Sequence, residues 1–532
     1  MAYWNSVPLS MLNYKTRVWF FVFAALFVVV PIGIGILRGE SAADAGTGGY
    51  PARPERKKVD PIAVNGEIFV GWPKPDVALV FSGEQNGYIE PCGCAGLENQ
   101  KGGLRRRLTF LKQLREKGWN VVAMDLGNQE KDTGIQAQMK VDFTYQALMK
   151  MGYAAVGFGP NDLKVDLLQI AINLDEATNP FVSANVAIGD FKSGLTKLYK
   201  IVDVGGMRIG ITSVLGKKEI AGRKKAGDVD LLEPRQAIPR ILVELRDKKC
   251  DHLVLLANAE PVETKELATL YPEFDWVMTA RGAEEPPKEP GAILNTGTHL
   301  VEVGQKAEYV VVVGLYKEGD VQFRYQRVPL DHRFPDAPEV AQMEANYQKQ
   351  LEMLGLSGLG LKAAPHPTGR KFAGTNTCTS CHTKAAEVYE KTPHAHATDT
   401  LLHLSPPRQF DPECLSCHVT GWDAQKYFPF ESGFLGLKET PDLVGNGCEN
   451  CHGPAARHAA AENGEIDVTD EQKEKLRAEL RLKIVPNEGN KEHQEFAKGK
   501  VVQMCILCHD RDNSPDFDFQ KYWPKVKHEG KD

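Results

Sequence analysis

Residues 447–458 read GCENCHGPAARH, and the pentapeptide inside them, Cys448-Glu449-Asn450-Cys451-His452, decides the fold of the last third of the chain. Two thiols at this spacing add to the vinyl groups of one haem, and the imidazole that follows sits on the same helical turn to bind the iron. The pattern occurs three more times, as Cys378-x-x-Cys381-His382 (CTSCH), Cys414-x-x-Cys417-His418 (CLSCH) and Cys505-x-x-Cys508-His509 (CILCH). One such pentapeptide is also half of a zinc site. Four of them, with every cysteine pair followed by His and no cysteine of the domain left over, point away from zinc and to four covalently bound haem c groups. A short domain around four haems has the cofactors as its core. Short helices and long loops are expected there, unable to fold without metal and porphyrin.

The clustering sets the limits of that domain. Eight of the 11 cysteines lie between Cys378 and Cys508, and 11 of the 14 histidines between His366 and His528, so the cofactor domain is read as residues 366–532. Seven of those histidines stand outside the motifs: His366, His394, His396, His403, His458, His493 and His528. By residue type alone each is either a second axial ligand or a solvated surface side chain. The segments CTSCH followed by TPHAHA, CLSCHVTGW, GCENCHGPAARH and CHDRDNSPDFDFQKYWPKVKH resemble the tetrahaem cytochrome c-554-like family. The resemblance implies distal ligands at His394 and His458, with His528 as a third. His403 and His493 compete for a fourth place, His396 is an alternative to His394, and the family often leaves one iron five-coordinate. Gly453-Pro454 turns the chain after the third motif, so His458 is expected at an iron other than that of His452.

Upstream, the pattern changes to alternating strands and helices. Val77–Ser82 (VALVFS) and Asn120–Gly127 (NVVAMDLG) read as buried strands with an amphipathic helix, Gly103–Lys117, between them. Ala154–Gly159, Phe181–Val186, His252–Asn258 and Phe274–Thr279 read as further strands, and Tyr199–Val214 as a hairpin turning at Gly205-Gly206. The expected fold class over residues 76–330 is an α/β sandwich with mixed sheets. Order and spacing resemble the calcineurin-like metallophosphoesterases of the 5′-nucleotidase branch, through Glu90-Pro91, Gly102-Gly103-Leu104 with Arg105, Asp125-Leu126-Gly127, Met151-Gly152-Tyr153 and Ser183-Ala184-Asn185-Val186. That family hydrolyses phosphate esters with two metal ions. Its ligand slots fall here on Glu84-Gln85-Asn86, Gly127-Asn128, Pro160-Asn161-Asp162, Asn258 and the stretch TARGAEE, which lack the imidazoles and most of the carboxylates. A phosphoesterase-like module without phosphoesterase chemistry is the reading. Cys92-Gly93-Cys94 lies in the loop after the first strand and reads as a redox or metal-binding pair, or as a loop pair that merely oxidises.

At the N-terminus, Val18–Leu37 is a run of 20 residues without a charge, the length of a membrane-spanning helix. The competing reading is a cleaved secretory signal, given Ala43-Asp44-Ala45. The expected order is a cytoplasmic tail (1–17), an anchor (18–37), a flexible linker (38–75), the phosphoesterase-like module (76–330), a helical connector (331–365) and the tetrahaem domain. Haem attachment of this kind takes place outside the bacterial cytoplasm, so the bulk of the chain is placed in the periplasm, on a single-pass inner-membrane anchor.

Composition narrows the function. Hydrophobic residues at 42% and charged ones at 25% are ordinary for globular domains, which excludes a disordered or polytopic membrane protein. A net charge of -6 leaves no basic footprint, so nucleic acid is not an expected partner. Four standard motifs make an electron carrier the leading reading, with redox proteins or a membrane quinol-oxidising or respiratory complex as partners. A multihaem redox enzyme acting on a small nitrogen, sulfur or oxygen compound is the alternative, and a docking or sensing scaffold a third.

Overall fold

A computed structural model describes residues 59–91, 100–220, 225–292, 296–482, 500–514 and 516–530. All of them fall in one compact unit. The apolar run 18–37, Cys92, Cys94 and His493 lie outside the described residues. Among those described, no helix is long and apolar enough to cross a membrane.

In chain order the first half consists of α1 (Pro61–Asn65), β1 (Val77–Ser82), α2 (Leu104–Glu116), β2 (Val121–Asp125), α3 (Ile135–Lys150), β3 (Tyr153–Val156), α4 (Leu167–Ile172) and β4 (Val186–Ile188). It continues through β5 (Lys200–Val204), β6 (Met207–Leu215), α5 (Lys217–Ile220), β7 (Lys225–Ala226), β8 (Val229–Leu231), α6 (Pro234–Asp247), β9 (His252–Asn258) and α7 (Pro261–Leu270). β10 (Trp276–Thr279), β11 (Gly291–Ala292), β12 (His299–Glu302), β13 (Tyr309–Leu315) and β14 (Phe323–Pro329) complete it. Two mixed sheets result, in the orders β14-β13-β1-β2-β3 and β11-β12-β10-β9-β6-β5, with a small third sheet β4-β8-β7. β1 is parallel to β2 and antiparallel to β13, and β9 is parallel to both β6 and β10.

Period-two side-chain alternation explains the layers. Val77, Leu79 and Phe81 of β1 meet Ile209, Val254 and Trp276 of the second sheet. Ala78 and Val80, on the opposite face, pack under α2 and α3. α6 and α7 cover the far face of the second sheet through Ile238, Ile241 and Leu267. The module is therefore a four-layer sandwich of helices, two sheets and helices. The hairpin β5–β6 turns at Gly205 and Gly206, both with positive φ (58° and 70°), as a two-residue turn between antiparallel strands requires.

Two stretches depart from their sequence reading. Residues 59–75, read as the end of a flexible linker, are packed on the module. Phe69 and Trp72 join Phe110 and Trp119 in an aromatic cluster, and Asn65 donates to Asp331. The apolar run Ile68-Phe69-Val70 lies in bends and turns and, like Trp72, outside any helix or strand. Phe181–Val186 is not one strand: Phe181 and Val182 make isolated bridges, and the strand proper starts at Val186. The Ser183 hydroxyl accepts from the backbone N–H of Asn185 and Val186, a local turn that competes with extended pairing.

α8 (Pro338–Gly358) links the halves and buries Val340, Glu344, Tyr347, Gln348 and Leu351. Among the described residues the second half has short helices only: α9 (Thr375–Thr379), α10 (Thr383–Tyr389), α11 (Ala397–Leu402), α12 (Pro412–His418), α13 (Cys448–His452), α14 (Ala456–Glu462), α15 (Asp470–Leu480), α16 (Lys500–Cys505) and α17 (Phe519–Val526). A two-stranded ribbon, β15 (Trp422–Asp423) and β16 (Phe428–Pro429), lies among them.

Candidate haem centre

Each Cys-x-x-Cys-His motif sits on or just beyond a one- or two-turn helix. α9 carries Cys378, α12 ends on Cys417 and His418, α13 spans the third motif and α16 ends on Cys505. The motifs come together in twos. The thiols of Cys378 and Cys448 lie beside one another, and so do those of Cys417 and Cys508. Glu449, the second residue of the third motif, is buried and joins that motif to the first. Its carboxylate accepts the backbone N–H groups of Ala373, Gly374 and Ala455 at 2.7–3.0 Å.

Three of the four motif histidines face a second imidazole. His382 faces His458 with ring centres 6.5 Å apart, His509 faces His394 at 6.0 Å, and His452 faces His528 at 5.7 Å. Two imidazoles sharing one metal, each nitrogen about 2 Å from it, put their ring centres about 6 Å apart. The observed separations fit an iron between each pair, and the flanking thiols fit covalent attachment. His458, six residues after His452, thus lies opposite the first motif. Of His394 and His396, it is His394 whose ring faces His509; His396 sits at the start of α11, its ring near Asp399 and the Glu390 carbonyl.

Backbone and side-chain acceptors orient these rings. Nδ1 of His452 bonds the Leu480 carbonyl at 2.7 Å, and that of His528 the Val526 carbonyl at 3.1 Å. Nδ1 of His509 lies 3.0 Å from the Ser514 hydroxyl. Such contacts fix the ring and leave Nε2 for a metal. Among the described residues, Nδ1 of His458 makes no hydrogen bond and has the Glu462 carboxylate 3.6 Å away. Burial holds His394, His452 and His458 below the usual imidazole range and brings His509 down to about 4, assisted by His394 and His418 beside it. These shifts favour the neutral imidazole, the form able to hold a metal, at those four rings.

His418, the fourth motif histidine, bonds the Ala397 carbonyl through Nδ1 at 2.6 Å and lies close to the His394–His509 pair. His403 follows α11 at the surface, its Nδ1 2.7 Å from the Asp399 carbonyl. His366 packs edge-on against Phe372 and Phe430.

In the first half, the phosphoesterase-like slots form a closed hydrogen-bond cluster. Glu84 accepts from the side-chain amides of Asn128 at 2.8 Å and Asn258 at 3.0 Å, and Asn128 also donates to Asn86. Asp162 accepts the backbone N–H groups of Asn128, Gln129 and Gly159. Glu84, Asn86 and Asn128 all have left-handed φ, between 50° and 66°, so the loop geometry is special although the chemistry is amide and carboxylate. Gly127 lets the loops after β2 and β3 touch, since a Cβ there would lie 2.5 Å from the Gly159 nitrogen. Burial pushes Glu84 up to about 7. Among the described residues, no group of three or more His, Cys, Asp or Glu is arranged to hold a metal ion.

The second half covers the carboxyl-terminal edge of the first sheet. Tyr88 and Lys306 both bind Asp512, Glu90 binds Arg408, and Lys140 binds Glu413. The sequence reading missed these pairs. The only local sign was Asp411-Pro412-Glu413, which reads as a helix start ahead of the second motif.

Residues 377–453, spanning three motifs, match the family described as cytochrome c554 and c-prime. Cytochrome c-554 of Nitrosomonas europaea is 28% identical over 151 residues, covering 26% of this chain and 57% of that protein. The chain thus spans little more than half the length of this relative. The 5′-nucleotidase precursor of Thermus thermophilus is similar in structure with a TM-score of 0.43 at 17% identity, over 52% of this chain and 59% of that one. The calcineurin-like phosphoesterase YfkN of Bacillus subtilis gives 0.39 at 14% identity, over 52% and 98%. The C-terminal part is a cytochrome c554 domain, a family that implies covalent c-type haems, and the N-terminal part resembles the 5′-nucleotidase and calcineurin-like phosphoesterases in structure.

Proposed function

We propose that the chain is an electron carrier with four covalent haem c groups, held by the eight motif cysteines and by His382, His418, His452 and His509. The observation that carries this reading is the three facing imidazole pairs. Two axial imidazoles occupy both faces of an iron, and an iron so ligated exchanges electrons rather than binding a substrate. The residues' part is to fix the rings, keep them neutral and bring the motifs within reach of one another.

The uncharged run 18–37 and the export that haem c attachment requires support an extracytoplasmic protein on a single-pass anchor. Its donor would be a membrane quinol-oxidising or respiratory complex, and its acceptor a soluble or surface redox protein. The phosphoesterase-like module is read as inactive, because amide donors already fill the acceptor positions of Glu84. Sustained turnover of nucleotides with excess manganese would refute that.

A pyridine haemochrome count of four per chain, with electron-spin spectra showing low-spin iron at three or more sites, is the expected result. A count well below four sinks the proposal. His458→Ala is expected to leave the count unchanged, turn the iron of His382 high-spin and open a carbon monoxide site. Wild-type spectra in that variant would remove His458 from the ligand set.

A further inference from the structure

The helix that carries the second motif is held from outside the haem domain. α12 begins at Asp411, whose side chain caps it by accepting the Glu413 N–H at 3.1 Å. Both oxygens of that cap are also bound from outside the haem domain: Oδ1 accepts from Gln136 of α3 and Oδ2 from Gln348 of the connecting α8, each at 2.9 Å. Glu413, in the first turn, is bound through both oxygens by Nζ of Lys140 on α3, at 2.6 and 2.8 Å. Lys140 also lies 3.4 Å from Glu130, in the loop after β2, and only 5% of it is exposed.

A helix of seven residues does not hold itself in water, so its position is set by what grips it. The first and third motifs are knitted together by Glu449 inside their own domain. For the second motif, the cap and the first turn are gripped by the phosphoesterase-like module and the connector. A buried lysine bound to two carboxylates is also a fixed charge pattern in a medium that screens poorly.

We propose that Lys140 and Gln136 are positioning residues for the haem of Cys414, Cys417 and His418, through which the phosphoesterase-like module sets that haem's redox potential. The inference rests on the reading that this motif binds a haem. It gives the module a function that needs no hydrolysis: α3, backed by Glu130, holds the first turn of the helix that carries the second motif.

The test is a redox titration of the full-length holoprotein with each haem followed by its spectrum. Glu413→Gln removes a negative charge and keeps Lys140 paired with Glu130, so the fold survives. One haem is expected to rise in potential while the other three stay in place, because the less positive reduced iron gains. A tenfold change in its equilibrium with a one-electron mediator, equivalent to about 59 mV, is the size to look for. Lys140→Met should move the same haem the other way, and Lys140→Arg should restore it. Unchanged potentials in Glu413→Gln, or a uniform shift of all haems, would overturn the inference. A wild-type haem count below four would instead remove the site reading on which it stands, so the two failures are told apart.

Discussion

Strand β1 of the first half is buried along all six of its residues, whereas helix α13 of the second half buries only Glu449 of its five. The contrast extends to the cores. In the first half, apolar side chains from two sheets and their covering helices form continuous layers. In the second, the buried apolar clusters among the described residues are two small groups, one around Leu415, Val419 and Trp422 and one around Val501, Val502, Phe517 and Phe519. Hydrophobic burial scales with apolar area, so the first half has its own driving force for folding. The second half spends its interior positions on thiols, imidazoles and polar groups that need a cofactor or a neighbour. One half is a folded object and the other is a cofactor's wrapping, fastened to it by buried ion pairs.

The largest expected effect comes from withholding haem. Chain made without haem attachment should be cut by protease throughout the region beyond about residue 366, while the 59–330 module resists, because cofactor binding is there part of the folding energy. Protection of the C-terminal region in that material would break the comparison.

Next in size is the ion cluster between the halves. Glu344 is fully buried, bound by Arg105 of the first half and lying 3.7 Å from Arg408 of the second. Glu344→Leu leaves two guanidinium groups to share Glu90 and should cost about 3–5 kcal/mol of unfolding free energy in denaturant titrations of the holoprotein. A loss below about 1 kcal/mol would mean that the halves are not fastened there.

The third sharpens what the buried carboxylate cluster does to the first half. Glu84 is raised from 4.5 to about 7 chiefly by burial, and Asp162 from 3.8 to about 6 for the same reason. The folded state therefore holds these protons after the unfolded chain has released them. Their contribution to stability is fully present below about 4 and is lost as pH rises through about 7, the Glu84 share being roughly 3 kcal/mol. Thermal midpoints should decline over that window, and Glu84→Ala should flatten the decline without abolishing it. A rise with pH would reverse the assignment. The smallest effect belongs to the rim: Arg511 and Glu284 are exposed and 3.0 Å apart, and Arg511→Ala should change stability by less than about 1 kcal/mol.

How far the chain could be read ahead of its structure followed the range of the interactions. β9 spans the residues read as a strand, His252–Asn258, and the Gly205-Gly206 hairpin is where the turn residues place it, since both signals are local. Phe69 and Trp72 looked like linker because the partners that bury them, Phe110 and Trp119, are distant in sequence. Ser183 broke a strand through a hydroxyl contact that an apolar pattern does not carry.

The same division holds at the haem centre. Thioether attachment and the proximal imidazole need five consecutive residues, so the motifs declare their chemistry without any fold. Which imidazole faces which depends on segments brought together from far along the chain, and the sequence alone left His394 and His396 as alternatives. Tertiary structure set His394 against His509 and His458 against His382. It also placed Lys140 on Glu413, 273 residues away, because a buried cation is tolerated only where the fold delivers a carboxylate to meet it.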